Sequence, residues 1–402
     1  MRSTGIRVLI TGVAAVIIGI YAERGFSGDD KLPKNDPATT IAVEKGMKWL
    51  VSVQGKDGGW GQDGGETSYV RQGEHLESKS NDVANTAVAA AALLHAGNTP
   101  TRGEHHEALQ RAVAFILDRV ERSPDDGLTV TDVAGTQIQR KLGPYIDTFL
   151  TSKLLAELDG NMGSAEGNAR VRRSLQKCIA KIEKNQLKDG SWNISGGWAP
   201  ILGTSLASRS LYMAQQKGVQ VSAGAMDKVE AYTQRAGAAV GAPAAMRPGV
   251  MGGGVGAGVA AGSTAETVSV MAASAGVSLY QRAQELEQLT RTDKDRAKNS
   301  AKIKTITGQL SDAQFVNGFG SFGGEEFFSY LNISDSLHRS GGPEWETWNR
   351  DIKAKMLKLQ NQDGTWAGHH CITGRVAVTS AAILTLLSDR DPVALSVNTK
   401  KN

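Results

Sequence analysis

The sequence has few cysteines and no large excess of charge of either sign. Its 402 residues include two cysteines, Cys178 and Cys371, and 45 basic against 41 acidic residues give a net charge of +4. Two cysteines exclude a disulfide framework, and we interpret both as small buried hydrophobic side chains. No long block of one sign is present. The composition therefore predicts no nucleic-acid partner.

Long hydrophobic runs are almost absent. One run of 15 residues, 8–22, follows Arg2 and Arg7 near the start of the chain. A membrane-spanning helix needs about 20 apolar residues, so this run is typical of a secretory signal, with an uncleaved membrane anchor as the alternative. We divide the chain into a signal or anchor, a linker, a helical body and a C-terminal tail: 1–26, 27–37, 38–390 and 391–402.

The charges around this run predict its orientation. Arg2 and Arg7 precede it, and Asp29 and Asp30 follow it. Basic residues remain on the cytoplasmic side, so we expect the body of the protein to be exported. It would then be periplasmic or otherwise extracytoplasmic, or would contact the membrane through the N-terminal segment if that segment is not cleaved.

The pattern Gln-x-x-Asp-Gly-x-Trp occurs three times, at residues 54–60, 186–192 and 360–366. Asp-Gly favours a turn. The glutamine amide can bond free backbone groups at a helix end, and the tryptophan adds an apolar plug with one N–H donor. We interpret the motif as a structural joint formed by Gln54, Asp57, Gly58, Trp60, Gln186, Asp189, Gly190, Trp192, Gln360, Asp363, Gly364 and Trp366.

Each copy stands between two helical patterns, an amphipathic one before it and a nearly apolar one after it. An amphipathic helix has one wet face, whereas an apolar one is buried all round. Counting further pairs gives about six outer–inner hairpins. This predicts an all-α fold, an α/α toroid. The added helices are 104–121, 145–159, 223–235, 264–289, 294–310 and 325–338, with a Gly/Ala-rich loop at 236–262.

The three motif copies resemble the QW motifs of the prenyltransferase and squalene-cyclase repeat superfamily. The resemblance implies an α/α toroid, in agreement with the helix count. More narrowly, the chain resembles the short, single-toroid, exported bacterial proteins of this class. Triterpene cyclases have two toroids and about twice this length, so their activity does not follow from the resemblance.

The catalytic motifs that the resemblance implies are missing. Hopene cyclases protonate an alkene with the central residue of Asp-x-Asp-Asp, which does not occur here. Asp125 and Asp126 are in a short turn, and Asp132 is too far along to complete the pattern. The Asp-Cys-Thr-Ala pattern of oxidosqualene cyclases and the Asp-x-Cys zinc pattern of protein prenyltransferases are absent as well.

One cluster of potential metal ligands remains, at His369, His370 and Cys371. A closed zinc site needs four ligands, and adjacent residues rarely all bind one ion. We interpret the cluster as a polar loop with a buried cysteine. The sequence thus predicts no metal and no other cofactor.

Polar residues on the inner helices are the candidates for chemistry. The helix at 325–338 carries Glu325, Glu326, Asp335 and His338 as catalytic candidates, although carboxylates at a helix start often stabilise its dipole. Buried polar groups need partners. The candidates for ligand binding are Asp82, Asp147, Trp198 and Tyr330. Asp82 and Asp147 can instead be N-caps, and Trp198 can pack on the Trp192 loop.

We expect an exported toroid that binds a ligand or partner in or around its cavity, without cyclase activity. An apolar ligand or another envelope protein would fit. The alternative is a terpene-cyclase- or prenyltransferase-like enzyme acting on an isoprenoid, although aromatic residues, which stabilise carbocations, make up only 5% of the chain. A third possibility is a polysaccharide-acting barrel with Asp147 and Glu326 as paired carboxylates.

Overall fold

The computed structural model describes residues 36–62, 80–194, 200–241, 277–310, 324–368, 372 and 374–390. These residues form fourteen α-helices and no β-strand. Six helices are outer: α1 Pro37–Ser52, α3 His106–Arg122, α6 Ala165–Lys184, α8 Ala223–Gly241, α11 Ser300–Leu310 and α13 Pro343–Leu359. Six are inner: α2 Val83–His95, α5 Ile146–Leu158, α7 Pro200–Gln216, α9 Val277–Leu289, α12 Gly324–Ser340 and α14 Arg375–Leu386. Two are short: α4 Gln137–Leu142 and α10 Asp293–Lys298.

The inner helices form a closed ring. Each one packs on the next, in the order α2, α5, α7, α9, α12, α14, and α14 packs back on α2. The outer helices cover this ring; α3 packs on α2 and α6 on α5, for example. The helix α2 is buried almost all round, whereas α3 buries one face and leaves the other wet. The predicted all-α toroid of six hairpins is confirmed.

The tryptophans of the motif join the two helices of one hairpin. Their indole Nε1–H groups donate to carbonyls in the last turn of the preceding outer helix, at 2.7–2.8 Å. Their backbone N–H groups donate to a threonine hydroxyl on the following inner helix, at 2.9–3.2 Å. Since the last carbonyls of a helix lack intrahelical partners, the indole serves as a C-terminal cap. The acceptors are Leu50, Ile182, Met356, Thr86, Thr204 and Thr379.

The glutamines join one hairpin to the next. The Gln54 side-chain N–H donates to the carbonyl of Ala108 in α3 at 2.9 Å, and the Gln186 amide donates to Ala225 in α8 at 2.9 Å. Gln360 donates to Ala42 in α1 at 2.8 Å, which links the last hairpin to the first. Ala108 and Ala225 lie in the first turn of the next outer helix, and Ala42 lies in the second turn of α1. The bonds are therefore near a helix end, as predicted, but the acceptors are carbonyls of the helix itself and not free end groups.

The Asp-Gly pair sets the turn between the two helices. In each copy the aspartate Oδ1 accepts the backbone N–H two residues later, at 2.9–3.0 Å. The glycines have φ of 89°, 93° and 89°, where only glycine is relaxed. They also lie against the next outer helix. A Cβ on Gly190 would stand 2.1 Å from the carbonyl oxygen of Lys228 in α8.

The second hairpin joint, at residues 124–127, lacks the motif and is held by lysines of α6. Lys181 is buried, and its ammonium donates to the carbonyls of Pro124 and Gly127. Lys184 pairs with Asp126 at 2.6 Å. Three lysines at 177, 181 and 184, on one face of α6, thus replace the glutamine and the tryptophan at this joint.

Several boundaries differ from the prediction. The helix α8 continues to Gly241, so the loop expected from residue 236 starts later, and residues 242–262 lie outside the described residues. The outer helix predicted at 294–310 is two helices, α10 and α11, because α10 ends at Lys298 with Asn299 as its C-cap. Cys178 is buried and free, as expected.

Other predictions fall outside the described residues. They include Cys371, residues 264–276, the N-terminal segment 1–26 and the tail 391–402. Among the described residues, no helix has both the length and the apolar character that a membrane span requires.

The glycine contacts predict unequal costs for two similar substitutions. Gly190 and Gly218 both have positive φ, at 93° and 72°, and only Gly218 has open space around a Cβ. Gly218→Ala should cost about 1–2 kcal/mol from backbone strain. Gly190→Ala should cost at least twice that amount, because the methyl group also meets the carbonyl of Lys228. Urea unfolding followed by circular dichroism measures both. Equal costs would mean that the joint does not depend on close approach.

Candidate ligand cavity in the inner ring

A cavity of about 40 Å³ lies at the centre of the inner ring. This is room for about three water-sized groups, since one needs roughly 10–15 Å³ by the same measure. Side chains of α2, α4, α5, α7, α12 and α14 line it, and most of them are apolar. Phe328 is the one aromatic residue among the lining residues.

The lining comes from one face each of the inner helices α2, α5, α7 and α12, and from one residue each of α4 and α14. On α2 the lining residues are Ala87, Val88 and Ala91, and on α12 they include Phe328, Leu331 and Asp335. These spacings of three, four and seven residues describe a single helical stripe. Small side chains on α2 leave the space that the larger residues of α12 do not fill.

A buried ion pair crosses the cavity wall. Arg209 on α7 pairs with Asp335 on α12, and both side chains are less than a tenth exposed. Asp335, a predicted catalytic residue, therefore lies in the cavity, but its carboxylate is engaged by a guanidinium. A buried charge needs such a partner.

A second charged group lies along the α5 stripe. Lys153 lines the cavity, and its ammonium donates to Glu157 at 2.8 Å. The other carboxylate oxygen of Glu157 lies 3.2 Å from Nε2 of His95 at the end of α2. Burial opposes ionisation of Glu157, but Lys153 and His95 outweigh it and lower the pKa of Glu157. This carboxylate remains charged and holds Lys153 in place.

Sequence reasoning missed Lys153, Glu157, Arg209 and His95. For Lys153 and Glu157, the sequence feature that could have indicated a role is a charged residue within an otherwise apolar helical pattern. Lys153 and Glu157 fall within the mostly apolar pattern of an inner helix, and they share the stripe of Leu150 and Leu154. A charged residue on a buried stripe is costly and needs a specific partner.

Two carboxyl groups lie at the N-terminal end of α2. Asp82 is the N-cap, and its Oδ1 accepts the N–H of Asn85 at 2.8 Å, as expected. Asp147 is not the N-cap of its own helix, contrary to the prediction. It accepts the N–H of Ala84 in α2 at 3.0 Å and the side-chain N–H of Gln139 at 2.7 Å. Through these two hydrogen bonds the Asp147 carboxyl group links α5 to α2 and α4.

Burial changes the acidity of both groups. It raises the pKa of Asp82 to about 6, while the bonds from Asn85 work in the opposite direction. Burial and then the nearby charge of Asp82 raise the pKa of Asp147 to about 7. Both carboxyls therefore have pKa values well above that of an ordinary aspartate, and Asp147 is partly protonated at neutral pH.

The short helix α4 covers this end of the ring. It begins with a capping box in which Thr136 and Gln139 exchange hydrogen bonds. Leu142, its last residue, lines the cavity, and α4 packs on α2, α5 and α7. Gln139 also binds Asp147. The start of α4 and the carboxyl pair thus lie together at the N-terminal end of α2.

Other candidates face away from the cavity. Tyr330 donates to Glu326 at 3.3 Å and receives a hydrogen bond from Lys355 of the outer helix α13 at 2.6 Å. His338 packs against Trp345 of the same outer helix. Glu326, Tyr330 and His338 are therefore turned toward α13. Their predicted roles in catalysis or ligand binding at the cavity are not supported by this placement.

The remaining candidates cannot be placed. Trp198, His369, His370 and Cys371 lie outside the described residues, as does the side chain of Glu325. Among the residues that the structure does describe, no group of three or more His, Cys, Asp or Glu side chains is arranged to hold a metal ion.

Comparisons with known proteins give three matches. The family model of the squalene–hopene cyclase C-terminal domain matches residues 30–142. The squalene–hopene cyclase of Bradyrhizobium diazoefficiens is 35% identical over 75 residues, which is 19% of this chain and 10% of that enzyme. The type II terpene cyclase MstE from Scytonema, in complex with geranylgeranyl dihydroxybenzoate, matches 89% of this chain and 98% of its own at 11% identity, with a TM-score of 0.37.

Both sequence matches support membership of the prenyltransferase and squalene-cyclase superfamily. The match to the cyclase family model includes the first copy of the motif and the helices α1 to α4. Because the alignment spans only a tenth of the cyclase, the activity of that enzyme does not transfer with it. A TM-score below 0.5 is too low for the solved structure to add support.

The two raised pKa values predict how stability depends on pH. Folded Asp82 and Asp147 bind protons more tightly than unfolded aspartate, whose pKa is 3.8. The free energy of unfolding should therefore fall as pH rises from about 4 to about 7, and level off above this range. Asp147→Asn should reduce this fall, whereas Asp227→Asn, at an exposed site on α8, should leave it unchanged.

Urea unfolding at a series of pH values measures this dependence for the wild type and both variants. Comparing how steeply the free energy of unfolding changes with pH in the wild type and in Asp147→Asn isolates the contribution of Asp147 from that of the other titrating groups. A slope for Asp147→Asn equal to that of the wild type would contradict the raised pKa.

Proposed function

We propose that this superfamily member binds a small, mainly apolar molecule in the cavity of its inner ring, without protonation-driven cyclisation. The observation that carries the proposal is the cavity itself, which is enclosed by five of the six inner helices together with α4. Apolar walls with a few fixed polar groups are typical of sites for small molecules. The polar groups here are Lys153, Arg209, Asp335, Ser205 and Asn332.

Two observations weigh against cyclisation. Phe328 is the only aromatic residue in the lining, whereas aromatic faces stabilise cations. The Asp-x-Asp-Asp pattern does not occur in the sequence. Both favour a role in binding.

A cyclase- or prenyltransferase-like enzyme acting on an isoprenoid is the second candidate, and one observation favours it. Asp147 lies one turn before Leu150 on the cavity-lining stripe of α5, and its pKa is raised to about 7. A protonated carboxyl near a cavity can act as a general acid. Conversion of squalene or a linear isoprenoid by the wild type, lost in Asp147→Asn, would favour this candidate over simple binding.

We also propose that the protein acts outside the cytoplasm, as the short exported members of its superfamily do. The support is the charge pattern around residues 8–22. Mass spectrometry of the N-terminus of the protein isolated from cells distinguishes a cleaved signal from a retained anchor. An N-terminus at residue 1 on soluble cytoplasmic protein would exclude both.

A larger side chain in the cavity wall should weaken ligand binding, whereas the same substitution on the surface should not. Ala91→Leu adds three carbon atoms to the wall and should weaken binding of 1-hexanol at least tenfold. Ala301→Leu, at an exposed site on α11, should bind like the wild type. Isothermal titration calorimetry measures the affinity, and burial of the alkyl chain should give a negative heat-capacity change.

Circular dichroism confirms that both variants are folded, since overpacking costs about 1–3 kcal/mol. Equal affinities of Ala91→Leu and the wild type would place the binding site elsewhere. Absence of any saturable binding to the wild type would contradict the proposed function.

A further inference from the structure

The ammonium group of Lys153 has unused hydrogen-bond donors. It carries three N–H groups, and its one partner among the described contacts is Glu157, at 2.8 Å. Glu157 is almost completely buried, with a side chain only 1% exposed, whereas that of Lys153 is 12% exposed and lines the cavity. The carboxylate therefore supports the lysine from one side, and the remaining N–H groups are available on the cavity side.

A second donor lies on the facing helix. Asn332 of α12 lines the same cavity, and its Nδ2 is buried without a hydrogen-bond partner. An unmade hydrogen bond at a buried amide costs about 1–3 kcal/mol. A ligand oxygen that accepted this bond would recover part of that cost.

The one carboxylate of the described lining is already engaged, because Asp335 is paired with Arg209. Glu157, which supports Lys153, is shared between Lys153 and His95. No carboxylate of the described lining is therefore left to receive a cationic ligand. The charge that this lining can offer to a ligand is that of Lys153, and most of the remaining lining is apolar.

The size of the cavity limits the ligand to a small one. A space of about 40 Å³ admits about three water-sized groups, which corresponds to a carboxylate and the first carbons of its chain. Charge-assisted hydrogen bonds from ammonium to carboxylate are stronger than neutral ones. We infer that the cavity selects an amphipathic carboxylate with a short alkyl chain, its head on Lys153 and Asn332 and its chain among the apolar residues of α2 and α14.

This inference rests on the proposed function, because it specifies the ligand of the same cavity. It can be tested separately with three probes of equal chain length, hexanoate, 1-hexanol and hexylammonium, at pH 7.5. Hexanoate is ionised there, since carboxyl pKa values lie near 4. Calorimetry on the full chain should give hexanoate an affinity at least tenfold above that of 1-hexanol, and hexylammonium the weakest binding.

Variants of Lys153 test whether its ammonium group causes the preference for hexanoate over 1-hexanol. Lys153→Met would leave the buried Glu157 unpaired and can fail to fold, so the double variant Lys153→Met/Glu157→Gln removes both charges together. It should bind 1-hexanol like the wild type and lose the preference for hexanoate. Lys153→Arg should keep the preference, and Lys304→Met, at an exposed site on α11, should change nothing.

The outcomes separate the two proposals. Equal affinities of the wild type for hexanoate and 1-hexanol would overturn the carboxylate inference and leave the apolar ligand site standing. A hexanoate preference that survives the double variant would also overturn it, because the selectivity would then come from other groups. Lack of binding by all three probes would contradict the proposed function as well.

Discussion

The ring depends on one hydrogen bond that is made three times. A glutamine amide at the end of one outer helix donates to a backbone carbonyl of the next outer helix, at 2.8–2.9 Å. The same amide bonds the carbonyl of the motif glycine, so the turn and the neighbouring hairpin are fixed together. Each such bond contributes modestly. Its importance is geometric, since at three of the six junctions it sets the position of one hairpin beside the next.

The interior follows from this arrangement. The hairpins all run outer helix first, so the inner helices are parallel and their N-terminal ends meet at one side. That side carries the Asp82–Asp147 pair and the cover formed by α4. The charged groups Lys153, Glu157 and His95 follow nearer the C-terminal ends of α2 and α5. The cavity thus lies between a carboxyl-rich end and a cation-bearing wall.

The repeated motif allowed the toroid and the joints to be predicted, because three copies with matching flanks reveal the repeat. The site was less predictable. An inner helix is apolar on nearly all sides, so periodicity does not fix its rotation, and the sequence could not show that Glu326 and Tyr330 lie on the side of α12 that faces Lys355 of α13. Asp147 accepts a hydrogen bond from Ala84 in α2, 63 residues away. Lys181 donates to the carbonyl of Pro124, 57 residues away. Such long-range pairings leave no local pattern.

Gln360 makes the same bond to α1 that Gln54 and Gln186 make to helices further along the chain. At that position no peptide linkage connects the two hairpins directly, yet the geometry of the joint is unchanged. The order of the hairpins in space is therefore encoded by side-chain contacts, and the covalent connection between neighbours is redundant. In topological terms the molecule is a cycle whose cut point is arbitrary, so a circular permutant opened at another outer–inner loop would have the same architecture.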